Sequence, residues 1–255
     1  MLIAKKNVLA TLAMTALLAG CGGGGGDNNS TTAATSASAK AEGVYSGTTS
    51  TGATFNLAVL DDNSFYALAG VSSGGTFFVS SLVQGTATTD GTNISSADAR
   101  EFGASSVTSG SLTGTYVAGT SIAATIRASS TSTLSGTTAA VAPFVYNTPA
   151  VLSQIAGSWS GNLLNGAAAT LNISATGAAT AFSSGCSITG TVIPRASGKN
   201  VFDVVLTTGA SPCATPNTSA AGIAISYVLT TGRRQLIVAA LPSSRASAIT
   251  FLAAR

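Results

Sequence analysis

The chain has 255 residues, a formal net charge of +3, only 7% charged residues and no histidine. The lack of histidine excludes the common Ser-His-Asp triad and every histidine-containing zinc set. Setting aside Lys5 and Lys6, nine basic residues face eight acidic ones, a near-neutral balance that gives no electrostatic footprint for nucleic acid.

Residues 1–20 carry the three parts of a secretory signal: Lys5 and Lys6, the apolar run Val8 to Leu18, and small residues before a cut. The run is roughly 11 residues, against about 20 needed to cross a bilayer. Leu18-Ala19-Gly20-Cys21 has the form of a bacterial lipoprotein cleavage box. It predicts Cys21 as a lipidated first residue, with two acyl signals that together anchor stably. Gly22 stands where an aspartate would retain the protein at the inner membrane, so the expected address is the outer membrane. Residues 21–41 hold almost nothing large and apolar, which reads as a flexible tether reaching roughly 25 Å.

From Glu42 onward the composition is that of an exported all-β body. Period-two alternation appears in Phe55-Leu57-Val59, Ile122-Ala124-Ile126, Leu171-Ile173, Phe202-Val204-Leu206, Ile223-Ile225-Tyr227-Leu229 and Leu236-Val238. These predict half-buried antiparallel strands whose small or polar intervening residues face water. Asp61-Asp62-Asn63, Ser73-Gly74-Gly75, Asp90-Gly91 and Thr231-Gly232 predict turns. One short helix is expected over Ala150 to Ile155, with Thr148 as cap, Pro149 at its first position and Gly157 past its end.

Gly43-Val44-Tyr45-Ser46-Gly47 and Gly157-Ser158-Trp159-Ser160-Gly161 repeat one G-x-aromatic-S-G frame. The repeat predicts two similar lobes, 42–145 and 146–255, each an antiparallel barrel or sandwich of about eight short strands, joined by a short helical turn. A G-x-Trp entry after a helical turn resembles the opening of lipocalin-type barrels. In those barrels the tryptophan closes one end beneath an arginine arriving late in the chain. The resemblance implies barrel closure by Trp159 and Arg255. The first lobe carries Tyr45 in the tryptophan position, and its nearest arginine, Arg127, precedes the expected last strand.

A broader likeness rests on Gly185 to Arg195, Gly198 to Val204, Pro212-Cys213 and Arg234 to Ile237. Over these segments the chain resembles a family of proteobacterial outer-membrane lipoproteins without established activity. The likeness implies a periplasmic or surface lipoprotein and supplies no substrate.

With Cys21 assigned to lipid, Cys186 and Cys213 are an even pair in an oxidising compartment, and a disulfide is expected. Gly70-Val71-Ser72-Ser73-Gly74 matches the G-x-S-x-G nucleophile pattern but lacks a histidine and a strand-to-helix elbow, so it reads as a loop. Asp61-Asp62-Asn63 lacks the calcium frame and reads as a turn. A membrane-embedded barrel is disfavoured by sparse aromatics and a terminal Arg255.

Charge divides by lobe. Between 42 and 145, Glu42, Asp61, Asp62, Asp90, Asp98 and Glu101 face Arg100 and Arg127. In the second lobe Arg195, Lys199, Arg233, Arg234, Arg245 and Arg255 face Asp203. Two explanations stay open: complementarity or drift between lobes, and a basic surface at Arg195, Lys199, Arg233, Arg234 and Arg245 for an anionic partner such as lipopolysaccharide. The resulting expectation is a bilayer-anchored, non-enzymatic lipoprotein without cofactor or metal, binding an envelope protein or anionic glycolipid. The alternative is a lipocalin-like carrier of a small apolar ligand.

Overall fold

The computed structural model describes residues 40–73, 76–138 and 144–255. Cys21, the signal and most of the tether lie outside the described residues. The described strands fall within one compact unit, Ser38–Arg255, which holds both barrel rings, the disulfide and every core residue described below.

The first lobe runs β1 (Gly43–Thr49), β2 (Thr54–Val59), β3 (Ser64–Ser73), β4 (Thr76–Thr86), β5 (Thr88–Thr89), β6 (Asn93–Phe102), β7 (Val107–Val117), β8 (Ser121–Arg127) and β9 (Thr131–Thr137). Eight of them close into an antiparallel ring through β4–β6 and β1–β9, with the two-residue β5 paired beside β6. The second lobe runs β10 (Gly157–Leu163), β11 (Ala168–Ile173), β12 (Ala178–Ser183), β13 (Cys186–Pro194), β14 (Phe202–Thr208), β15 (Ser219–Val228), β16 (Arg234–Leu241) and β17 (Ile249–Ala254). It closes into an eight-stranded barrel by pairing β10 with β17. Both lobes are barrels, which removes every strand edge within each ring.

The repeat extends to register. Gly43 faces Val59 and Tyr45 faces Leu57, while Gly157 faces Ile173 and Trp159 faces Leu171; each second-lobe pair is a first-lobe pair shifted by 114 residues. The β2–β3 and β11–β12 pairings keep the same shift, as Leu57–Ala67 and Leu171–Ala181 show. The last glycine of each frame explains itself by close approach. A Cβ on Gly47 would strike the Ser135 carbonyl of β9, and one on Gly161 would strike the Leu252 carbonyl of β17. Both sit where the first and last strands must meet to close the ring.

Alternation fills both interiors. Tyr45, Phe55, Leu57, Phe65, Leu112 and Ile122 pack inside the first barrel, and Trp159, Leu171, Phe202, Val204, Leu236 and Phe251 inside the second. A third core lies between the lobes: Ala58, Leu60, Leu68, Phe77 and Leu82 pack with Val201, Ile223, Ile225, Ile237 and Leu241. β2 and β16 are therefore buried on both faces. The hairpin β3–β4 reaches the second lobe, where the buried Gln235 Nε2 donates to the Phe77 carbonyl at 3.2 Å.

Three sequence expectations need correction. Ile223 and Ile225 face the other lobe, while Ala224 between them and Ala220 before them line the second barrel instead of facing water. The helix reduces to a single 3-10 turn at Leu152–Gln154 without a side-chain cap, and the Thr148 hydroxyl donates to the Val145 carbonyl instead. Ser72 of the G-x-S-x-G match lies on β3 and not in a loop. By contrast, Asp61-Asp62-Asn63 is a hairpin turn, with Asn63 at φ 65° and the Ser64 N–H and hydroxyl both donating to Asp62 Oδ1.

Candidate functional site

One end of the second barrel is closed from within. Trp159 enters β10 with its indole Nε1 donating to the Ile155 carbonyl at 2.7 Å, four residues back and just past the 3-10 turn. The Arg255 guanidinium lies 3.9 Å from the Trp159 ring centroid. It also donates to the carbonyls of Ser158 at 3.1 Å and Ala156 at 2.7 Å. The sequence-predicted pair thus meets as a stacked cation and indole. The first lobe repeats half of this device: the Tyr45 hydroxyl donates to the Ala41 carbonyl, also four residues back, at 2.9 Å. Burial pushes that hydroxyl up to about 12. Arg127 ends β8, and among the described residues no cation stacks on Tyr45.

Three of the five residues read as an anionic-partner surface turn out to serve the lobe interface. Arg195 donates from Nε to Asp61 at 2.7 Å, from Nη2 to Asp62 at 2.8 Å and from Nη1 to Asp203 at 2.7 Å. Burial opposes its charge, but the hydrogen bonds to Asp61, Asp62 and Asp203 outweigh that and hold it above the ordinary arginine range. Lys199 pairs with Glu42 at 2.9 Å and lies 5.3 Å from the Tyr146 ring centroid. Arg245 pairs with Asp98 at 3.1 Å and donates to the Gln84 carbonyl at 2.6 Å. The lobe-wise charge asymmetry is largely complementarity between lobes.

Arg233, Arg234 and Arg255 remain together at the closed end. Arg234 and Arg255 exchange backbone hydrogen bonds at 2.7 and 2.9 Å. Arg234 Nη1 donates to Gln154 Oε1 at 3.4 Å and Ser226 Oγ at 3.5 Å, and Arg233 donates to the Ala254 carbonyl. Among the described residues none of the three pairs with a carboxylate. Desolvation first, then the neighbouring Arg234 charge, holds the Arg255 guanidinium below its ordinary value.

At the opposite end of the second barrel Cys186 at the head of β13 is bonded to Cys213 in the loop between β14 and β15. The sequence separation is 27 residues, so reduction is expected to cost about 3.5 kcal/mol through the freed loop entropy of the unfolded chain. Urea melts of the Ser38–Arg255 fragment with and without reductant check this, and coincident curves would contradict it.

Beside the disulfide runs a cavity of about 440 Å³ between the loop 103–106 that joins β6 to β7 in the first lobe and residues that include Leu163, Ser183, Pro212 and Thr250. Its walls carry no charged side chain, and the buried Thr250 hydroxyl has no partner. Below it the barrel interior leaves about 30 Å³ among Leu171, Ile188, Val204, Leu206 and Phe251. That is room for about one water, far below the roughly 300 Å³ at which ligand pockets begin.

Among the described residues no three His, Cys, Asp or Glu side chains gather around a common point. No helix there is long and apolar enough to cross a membrane. Comparison with protein-family models, curated proteins and solved structures finds no match for this chain.

The titratable groups predict a broad pH plateau. Burial raises Asp62, but the Ser64 hydroxyl and N–H and then Arg195 outweigh it and leave the carboxyl below 3.8. A lowered carboxyl contributes above its unfolded value and loses that contribution as pH falls through the folded one. At the other end burial raises Tyr45, Tyr66 and Tyr227 from 10.0 to about 12. Their contribution is complete below 10 and is lost as pH rises towards 12. With no histidine to titrate between, melting temperatures of Ser38–Arg255 should stay level from about pH 5 to 9 and fall outside. A stability step near pH 6 to 7 would contradict this assignment.

Proposed function

We propose that the chain is a lipid-anchored, non-enzymatic lipoprotein of the bacterial outer membrane that offers two fused barrels to an envelope protein or anionic glycolipid. The filled second-barrel interior is the observation that supports surface recognition over transport, because about 30 Å³ holds no lipid or cofactor. The resemblance to proteobacterial lipoproteins and the Leu18 to Cys21 box support the address and the anchor. The Trp159–Arg255 closure keeps a lipocalin-like carrier as the second reading, with the larger cavity beside the disulfide as the ligand's place.

Two measurements test the reading. Thiol acylation precedes lipoprotein signal cleavage, so Cys21→Ser should leave an uncleaved or soluble precursor that takes up no labelled palmitate, while the parent chain is labelled and fractionates with the outer membrane. Labelled, membrane-bound Cys21→Ser protein would remove the anchor. Native mass spectrometry of protein purified from its own host separates the two readings: a co-purifying small apolar molecule selects the carrier.

A further inference from the structure

The closed end of the second barrel gathers three guanidiniums whose partners are all neutral. Each guanidinium has five N–H donors. Arg255 uses two of its groups on the Ser158 and Ala156 carbonyls, Arg234 meets Gln154 and Ser226 at long range, and Arg233 meets the Ala254 carbonyl. The other second-lobe cations, Arg195, Lys199 and Arg245, each have carboxylates at 2.7 to 3.1 Å. The contrast is one of partners. Arg195, Lys199 and Arg245 are neutralised by first-lobe carboxylates, whereas Arg233 in the turn before β16, Arg234 at its head and Arg255 just after β17 have no carboxylate partner among the described residues and retain donors for an external anion.

The described chain begins close to this end. Lys40 Nζ donates to the Asp61 carbonyl at 2.7 Å, and the Asp61 carboxylate receives Arg195 from the β13–β14 turn. That turn lies at the same end of the barrel as the start of β10 and the β15–β16 turn, since antiparallel strands alternate in direction. Cys21 precedes Lys40 by 19 positions, so an anchor at Cys21 would lead into the described chain at the end of the second barrel that carries the three arginines.

We propose that Arg233, Arg234 and Arg255 form a docking face for the phosphate groups of anionic phospholipids, seating the body on the leaflet that holds its anchor. Guanidinium forks suit phosphate oxygens. Each arginine near an anionic leaflet raises binding about fivefold, and a short tether supplies a local concentration in the millimolar range that makes so weak a contact effective. This inference rests on the anchored reading of the chain.

The test uses the unacylated Ser38–Arg255 fragment and vesicle flotation at low salt. The fragment should float with vesicles of mixed phosphatidylcholine and phosphatidylglycerol and not with phosphatidylcholine alone. Arg233→Gln combined with Arg234→Gln should lower the partition coefficient about 25-fold, whereas Arg127→Gln on the first lobe should leave it unchanged. Arg233→Lys with Arg234→Lys should keep flotation, which controls for any change of fold in the glutamine variant. Equal flotation on neutral vesicles, an unaffected glutamine double variant, or a lysine double variant that fails to float each overturns the proposal. Binding of inorganic phosphate or lipopolysaccharide without flotation on phosphatidylglycerol assigns the face to another anion and overturns it as well. Because the fragment lacks Cys21, such a failure leaves the anchor to be judged by palmitate labelling alone.

Discussion

Trp159→Ala is expected to lower the stability of the Ser38–Arg255 unit by about 3 to 5 kcal/mol, the range for emptying a buried aromatic site. The indole is 1% exposed, its N–H is bonded to the Ile155 carbonyl and its face carries Arg255. The substitution therefore opens a cavity, orphans a carbonyl and removes the ring on which the Arg255 guanidinium stacks. Trp159→Phe should cost less, because a ring remains and mainly the hydrogen bond is lost, worth about 1 kcal/mol. Arg255→Ala should cost about 0.5 to 2 kcal/mol. Urea denaturation followed by circular dichroism measures all three. An alanine variant within 1 kcal/mol of the parent would reduce Trp159 to ordinary packing and remove the parallel with lipocalin-type closure.

Ile237→Asp is expected to uncouple the lobes at a cost of roughly 4 kcal/mol, because a carboxylate there has no partner in the apolar layer between the barrels. Ile237 is 2% exposed among Ile223, Ile225, Leu241 and the first-lobe residues Ala58 and Leu68, yet it lies outside the barrel ring whose interior is filled by Leu236 and Val238. Each barrel keeps its own interior in the variant. Calorimetry should consequently show the parent melting in a single transition and the variant in two, the second lobe first. One unchanged transition would mean that the third core contributes little cohesion.

The same residues show what alternation carries and what it leaves open. A strand of period two has two faces, and the apolar set of β2, Phe55-Leu57-Val59, does lie inside its barrel. In β15 the identical pattern, Ile223-Ile225, points at the other lobe, and the second barrel closes over Ala220 and Ala224. Small residues flanking large ones look solvent-facing when one buried face is assumed. They line an interior when neighbouring Trp159, Phe202 and Phe251 already fill it. The Thr148–Pro149 signal also promises a helix that the short span before Trp159 restricts to one turn, because Ile155 must present its carbonyl to the indole four residues on.

By itself the sequence determined the all-β class, the two-lobe repeat and the cysteine pair, because each follows from local chemistry: alternation, a recurrent glycine–aromatic frame and an even thiol count. The meeting of Trp159 with Arg255 is an expectation from the lipocalin resemblance, and it depends on a closed ring that the sequence leaves open between barrel and sandwich and that the β10–β17 pairing decides. Only the tertiary structure decided which cations are available. Arg195, Lys199 and Arg245 are indistinguishable from Arg233 and Arg234 as letters in a basic half-chain. Their fates diverge because the packing of the lobes brings Asp61, Asp62, Glu42 and Asp98 to one set of arginine and lysine side chains and leaves the other set without a carboxylate partner among the described residues.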